Sequence, residues 1–166
     1  MKKSFYFHDQ AWAALRAIGS LRRASRNGTN VLHYALAVYR DLIEQRANGA
    51  TFVVRNSAGK EWPFSPYHPL DYEAVGLKPP DIVEVTKKRR SFEFDDAGVA
   101  ALASIRKRGR HRDDVEVLEA ALCLYYDVLL LDAHGFAIVV RDAEGNRWRY
   151  DPHAPLERNP YVTEVV

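Results

Sequence analysis

Ser4-Phe5-Tyr6-Phe7-His8-Asp9 returns 87 residues later as Ser91-Phe92-Glu93-Phe94-Asp95-Asp96, and these two stretches decide how the chain is to be read. In each, two phenylalanines alternate with polar residues. That is a period of two, the mark of a short strand with one buried face. Leu15 and Ile18 recur at the same offset as Leu102 and Ile105. Beyond the next loop the offset becomes 86, a one-residue change that loops tolerate. There Ala35-Leu36-Ala37-Val38-Tyr39 matches Ala121-Leu122-Cys123-Leu124-Tyr125, and Phe52-Val53-Val54-Arg55 matches Ile138-Val139-Val140-Arg141. Trp62, Phe64, Pro66, Pro69 and Leu70 fall on Trp148, Tyr150, Pro152, Pro155 and Leu156. Chance does not hold a register from Ser4 to Leu70. The chain is one unit written twice, residues 1–86 and 87–166, the two expected to fold together about a pseudo-two-fold axis.

Each copy continues in the same order. Asp9 and Asp96 stand where an N-cap would accept a bond from free helical N–H groups. Trp12, Leu15 and Ile18, echoed by Val99, Leu102 and Ile105, give a short first helix one apolar stripe. A basic turn follows, Arg22 to Gly28 and Arg106 to Asp114. A longer second helix carries Val31, Leu32, Ala35, Leu36, Tyr39, Leu42 and Ile43, matched by Val117, Leu118, Ala121, Leu122, Tyr125, Val128 and Leu129. Gly49 and Gly135 stand where a left-handed C′ residue ends it. Two strands then flank Asn56-Ser57-Ala58-Gly59 or Asp142-Ala143-Glu144-Gly145, type I turns closed by a bulge. A proline-containing tail runs extended, and residues 71–90 link the copies. The fold class is α+β, each copy a strand, two helices and an added C-terminal β-hairpin.

Composition bounds the chemistry. The 166 residues are 47% apolar and 28% charged, which fits a folded chain rather than a disordered one. A single cysteine, Cys123, forms no intrachain disulfide and points to a reducing, cytoplasmic setting. The first residues turn polar too soon for a signal peptide, and no apolar run reaches a membrane span. Net charge is only +2, but its distribution is uneven. Residues 1–26 carry six Lys/Arg against one acid and 87–112 nine against three, while 27–86 carry five against seven and 113–166 four against eleven. Seventeen of the 24 cations are arginine, the side chain suited to bidentate phosphate contacts.

Several features take a plain reading. The six histidines are scattered without ligand spacing, so neither zinc nor any other cofactor is expected. No phosphate-binding glycine loop or nucleophile elbow occurs, and the carboxylates form no recurring pair; no enzyme is expected. Trp62 and Trp148 read as packed against their own helices rather than stacked on a base. The stretches Pro66–Pro69 and Pro152–Pro155 read as extended arms on the protein's own surface rather than docking ligands.

A strand of Phe-x-Phe alternation, two helices and a basic turn resembles the ribbon-helix-helix family of small bacterial DNA-binding proteins. The resemblance covers residues 2–48 and 88–134; the hairpins and tails lie outside it. In that family two copies pair their strands into an antiparallel ribbon that enters the major groove. Here both copies lie in one chain, as in some conjugation accessory proteins, so strand 3–8 is expected to pair with 90–95. The four phenylalanines would lie beneath it with Leu36 and Leu122. The resemblance then implies base-reading by Ser4, Tyr6, His8, Ser91, Glu93 and Asp95. It implies phosphate contacts from Lys2, Lys3, Arg22, Arg23, Arg26, Gly28, Thr29, Asn30, Arg89, Arg90, Arg108, Arg110 and Arg112. The opening of the second helix anchors a phosphate in the family, which maps to Asn27–Asn30 and to Asp113–Glu116, and Asp113 and Asp114 weaken that anchor in the second copy. Acidic Glu93 and Asp95 also depart from the usual ribbon composition.

Two functions follow from different classes. One is a nucleoid-associated repressor or conjugation accessory factor on double-stranded DNA, with a second copy of the chain on adjacent sites. The other is a protein-interaction module or antitoxin that holds a protein partner with its ribbon or hairpins. The placed Arg/Lys blocks favour the first and Glu93 with Asp95 the second.

Overall fold

The two phenylalanine strands meet in a computed structural model of the chain, which describes residues 1–21, 28–82, 89–153 and 161–165, with backbone alone at 28–30, 90 and 161–165. In order the elements are β1 (Lys2–Phe5), α1 (Asp9–Leu21), α2 (Gly28–Ala47), β2 (Thr51–Arg55), β3 (Glu61–Phe64), α3 (Tyr72–Val75), β4 (Arg90–Glu93), α4 (Asp96–Arg108), α5 (Asp114–Ala133), β5 (Ala137–Arg141), β6 (Arg147–Tyr150) and β7 (Tyr161–Val165). Among the described residues this is an α+β fold of five helices and two antiparallel sheets.

β1 and β4 form a two-stranded antiparallel ribbon, Lys2 facing Glu93, Lys3 facing Phe92, Ser4 facing Ser91 and Phe5 facing Arg90. Only Ser4 faces its own repeat equivalent, so the pseudo-two-fold axis passes there. The two hydroxyls share a hydrogen bond of 2.5 Å. Met1 and Phe94 extend the ladder by one pair, exchanging backbone bonds of 2.7 and 2.9 Å. The paired segment is shorter than the alternation suggested, since Tyr6, Phe7 and His8 lie beyond the ladder. The chain must leave the ribbon to start a helix.

That helix starts one residue from expectation in the second copy. Asp95, not Asp96, is the N-cap: its backbone is extended and its Oδ1 accepts from Gly98 N–H at 2.7 Å. Asp96 is the first helical residue, and in the first copy Asp9 likewise lies inside α1, with His8 before it.

The helices exchange between copies. α1 packs chiefly on α5, and α4 on α2, while α2 and α5 pack against each other. One hydrophobic core therefore runs through both halves, from Phe5, Phe7, Phe92 and Phe94 through Leu36, Leu122 and Tyr125 to Phe52, Val140 and Tyr150. Phe5 meets Phe94 edge-on at 6.3 Å between ring centres, and Phe7 meets Trp12 at 5.7 Å. Such aromatic pairs add about 0.5–1.5 kcal/mol each beyond the area they bury. A strand with one 13-residue and one 20-residue helix buries too little alone, and the buried residues form one cluster spanning both copies.

The two hairpins also merge. The second sheet runs β3-β2-β5-β6-β7. At its centre Val53 faces Val139, again a repeat-equivalent pair, so the same axis pierces both sheets. In each hairpin the turn is as the residues required. Asn56 and Asp142 Oδ1 accept from the N–H groups two and four residues on, and Gly59 and Gly145 take left-handed φ of 83° and 87°. Because α2 and α5 are 20 residues each, about 30 Å long, they hold this sheet at their C-terminal ends. The ribbon sits by the opening of α5, through Lys3 to Asp114 and His8 to Glu119.

On the sheet's outer face Arg55 and Arg147 converge on the Glu61 Oε2, at 2.8 and 3.0 Å. Their hydrogen bonds and charge hold the Glu61 carboxyl below its usual range. Glu61 and Arg147 are repeat equivalents, so the copies have diverged into opposite charges that meet across the axis.

The first tail packs on the second copy. Tyr72 O–H and Leu70 N–H both donate to the carboxylate of buried Asp127 on α5. Burial raises the Asp127 carboxyl to about 6 despite these bonds. Its equivalent on α2, Asp41, is raised by burial to about 7 and accepts from Tyr150 O–H of the second copy at 3.5 Å. The first tail is not extended throughout, since Pro66 and Tyr67 lie in a turn, and Pro155 of the second tail lies outside the described residues. Within the link, Asp71 caps the four-residue α3, which its short length hid from periodicity. No helix among the described residues is long and apolar enough to cross a membrane.

Candidate nucleic-acid interface

The alternation that buries the phenylalanines turns Lys2, Ser4 and Tyr6, and Arg89, Ser91 and Glu93, to the outside of the ribbon. Phe5, Phe7, Phe92 and Phe94 are 3–5% exposed, whereas Tyr6 is 58% exposed. Lys2, Arg89, Ser91 and Glu93 are exposed and Ser4 is half-buried beside its partner hydroxyl. The face is therefore short, polar and raised on a rigid aromatic base. Lys2 lies directly opposite Glu93 without forming an ion pair among the described residues. One step past the ladder's other end come Tyr6 and Arg89.

Beside the ribbon lies a groove of about 550 Å³ between β1, α4 and the start of α5, its polar lining Lys3, Arg106, Lys107, Arg110, His111 and Asp114. The end of α4 and the turn after it present Arg106, Lys107, Arg108, Arg110 and Arg112, all exposed. The turn is built rather than loose. Arg106 Nη2 donates to the Arg112 carbonyl at 2.8 Å, and Arg112 N–H and Nε donate to Glu116 Oε2 at 3.0 and 3.2 Å. The His111 ring folds inward to a 2.7 Å hydrogen bond with Tyr39 of the first copy. A Cβ on Gly109 would lie 2.6 Å from that ring, so glycine is needed here for space. Burial pushes the Tyr39 hydroxyl up to about 12.

Several nominated residues have other employment. Lys3 Nζ pairs with Asp114 Oδ2 at 2.6 Å, both side chains about a quarter exposed, with Arg106 3.9 Å from the same carboxylate. It points down beside the Phe5 side of the strand, where alternation puts it. Asp95 spends one carboxylate oxygen on its helix cap, because the short side chain reaches the N–H three residues on. His8 binds the Glu119 carboxylate through its backbone N–H at 2.7 Å and ring Nδ1 at 2.8 Å, with 85% of its side chain still open. Ser4, Tyr6, Ser91 and Glu93 remain the outward set.

The second-helix openings differ. α5 is capped by Asp113, whose Oδ1 accepts from Glu116 N–H at 2.9 Å, and adds Asp114 and Glu116 in its first turn. A carboxylate already occupies the place of an anion there. α2 opens at Gly28 with no acid in its first turn; the side chains of Gly28, Thr29 and Asn30 are outside the described set, as is that of Arg90. Arg22, Arg23 and Arg26 lie outside the described residues. Arg106 and Lys107 were missed as individuals although they sit in the basic block; Lys107 stands opposite the Leu102–Ile105 stripe, while Arg106, one turn after Leu102, flanks that stripe and is exposed at its edge. The Asp41–Asp127 pair was also missed, and its signal was an identical acid recurring within two apolar stripes.

Cys123 is half-buried and its thiol is raised by burial to about 11, which disfavours the reactive thiolate. No group of three or more metal-ligating side chains gathers among the described residues. Comparison with family models, with curated proteins and with solved structures found no match.

Proposed function

We propose that this chain is a sequence-specific double-stranded-DNA-binding protein, a tandem ribbon-helix-helix unit that inserts the β1–β4 ribbon in the major groove as a repressor or conjugation accessory factor. One observation carries the reading. Two repeat-equivalent strands pair antiparallel about Ser4 and Ser91 with every phenylalanine inward and a polar row outward. A major groove about 12 Å wide admits a two-stranded ribbon. Ser4 and Ser91 can donate or accept at base edges, Tyr6 offers ring and hydroxyl, and Glu93 accepts from a base amino group. Lys2, Arg89, Arg106, Lys107, Arg108, Arg110 and Arg112 would hold phosphates, which set register without carrying sequence. The test is a gel-shift series of the full chain on genomic fragments at rising salt. Binding that weakens with salt while one fragment outlasts the rest supports the reading; folded protein that binds no duplex at low salt refutes it.

The second reading, a module that grips a protein partner, rests on the carboxylate of Glu93 exposed on the ribbon and the acidic opening of α5. Both repel phosphate. It would gain if the gel-shift series fails and a basic partner is bound instead.

A further inference from the structure

The ribbon's pseudo-symmetry breaks at the positions that would touch bases. On its outer face the repeat equivalents Lys2 and Arg89 are both cations, and Ser4 and Ser91 are identical. The third pair is Tyr6 and Glu93, an aromatic ring against a carboxylate. The register sends these differences to opposite ends: Glu93 lies across from Lys2, while Tyr6 follows Phe5 and Arg89 precedes Arg90, each one residue past the ladder's other end. One end is therefore carboxylate with ammonium, the other phenol with guanidinium, and the middle is a serine pair. A second asymmetry has the same sign. α5, in the copy that carries Glu93, opens with acids, while α2 has none in its first turn.

We propose, resting on the DNA-binding reading above, that the target is a non-palindromic duplex bound in one orientation, with Glu93 over a cytosine and Tyr6 over a thymine. A carboxylate only accepts hydrogen bonds. In the major groove the cytosine N4 amino group satisfies it, whereas the guanine N7 and O6 acceptors and the thymine O4 repel it. Adenine offers an amino group with an acceptor beside it, which a carboxylate cannot match as Gln does. Lys2, directly across the ladder, offsets the repulsion between Glu93 and the backbone. At the other end the exposed ring of Tyr6 suits the apolar C5-methyl of thymine. Ser4 and Ser91 tolerate either polarity at the centre. A homodimer would present two like ends and select an inverted repeat; with both copies in one polypeptide the two ends are free to differ, and at Tyr6 and Glu93 they do.

The experiment selects bound sequences from a random duplex pool with the full chain. Anisotropy then compares the selected site with two inverted repeats, each built by doubling one half. The expected site lacks inverted symmetry, and each symmetrised duplex binds at least about fivefold more weakly, the low end for one wrong base pair. Two exposed-face variants are carried in parallel. Tyr6→Glu makes the ends alike and should select an inverted repeat of the cytosine half; Glu93→Gln should exchange cytosine for adenine at one end only. Recovery of an inverted repeat by the unaltered chain, or symmetrised duplexes within twofold of the selected site, overturns the proposal and leaves DNA binding intact. No enrichment of any sequence from folded protein overturns both.

Discussion

Replacing Phe92 by Ala should destabilise the chain by about 3–5 kcal/mol, while Tyr6→Ala should change stability by less than about 0.5 kcal/mol. The contrast follows from strand phase. Phe92 is 3% exposed and its ring centre lies 6.4 Å from Phe5 and 6.1 Å from Phe7. Truncation removes a ring from a site walled by other rings, which cannot collapse without dragging the ribbon off its helices. The loss then combines transfer, cavity and aromatic-pair contributions. Tyr6 lies between two buried phenylalanines in sequence yet is 58% exposed, so its truncation opens no cavity. Urea melts followed by far-ultraviolet circular dichroism measure both differences at constant slope. Under 1 kcal/mol for Phe92→Ala, or a Tyr6→Ala effect as large as that of Phe92, would refute the packing argument.

Asp127 should make stability fall as pH rises. Its folded-state value, about 6, lies above the ordinary 3.8, so the native state holds a proton that the unfolded state has lost between those values. Stability therefore declines across pH 4 to 6, on the order of 3 kcal/mol from this group; Asp127→Asn should flatten that slope in melts at pH 4.5 and 7.5, and an unchanged slope counts against the burial. Gly109→Ala should cost about 1–3 kcal/mol by displacing the His111 ring from Tyr39. In a His111→Ala background most of that cost should vanish, and a cost that persists unchanged would mean the clash lies elsewhere. On DNA, Arg110→Ala should weaken specific and random duplexes alike and lower the salt slope by about one; a loss confined to one sequence would mark it as a base-reader.

Much of this was legible because it is local. Alternation assigned the Phe5 and Phe92 faces, three-and-four spacing drew the helices, and Asn56, Gly59, Asp142 and Gly145 dictated their turns through their own side chains and φ preferences. The outward ribbon residues Ser4, Tyr6, Ser91 and Glu93 followed from the same period. What was misplaced depends on a competition between neighbours. Either Asp of Asp95-Asp96 can cap a helix, and the choice fell where the Val99 N–H met the Asp95 carbonyl at 2.9 Å. Lys3 reads as a free cation until α5 brings Asp114 beneath it.

By itself, then, the chain's order of residues determined that there are two copies, which elements each contains and which face of each is apolar. Only the tertiary structure decided that the hairpins join through Val53 and Val139, that α1 lies on α5, that Arg147 crosses to Glu61, and that Tyr72 reaches Asp127. The physical reason is that periodicity records which side of an element avoids water, but not what will cover it. A strand edge exposes the same N–H and C=O groups whatever its side chains. Its partner is chosen by where two 20-residue helices deliver each hairpin. A lone carboxylate carries no mark of the hydroxyl or guanidinium that will meet it from the other copy.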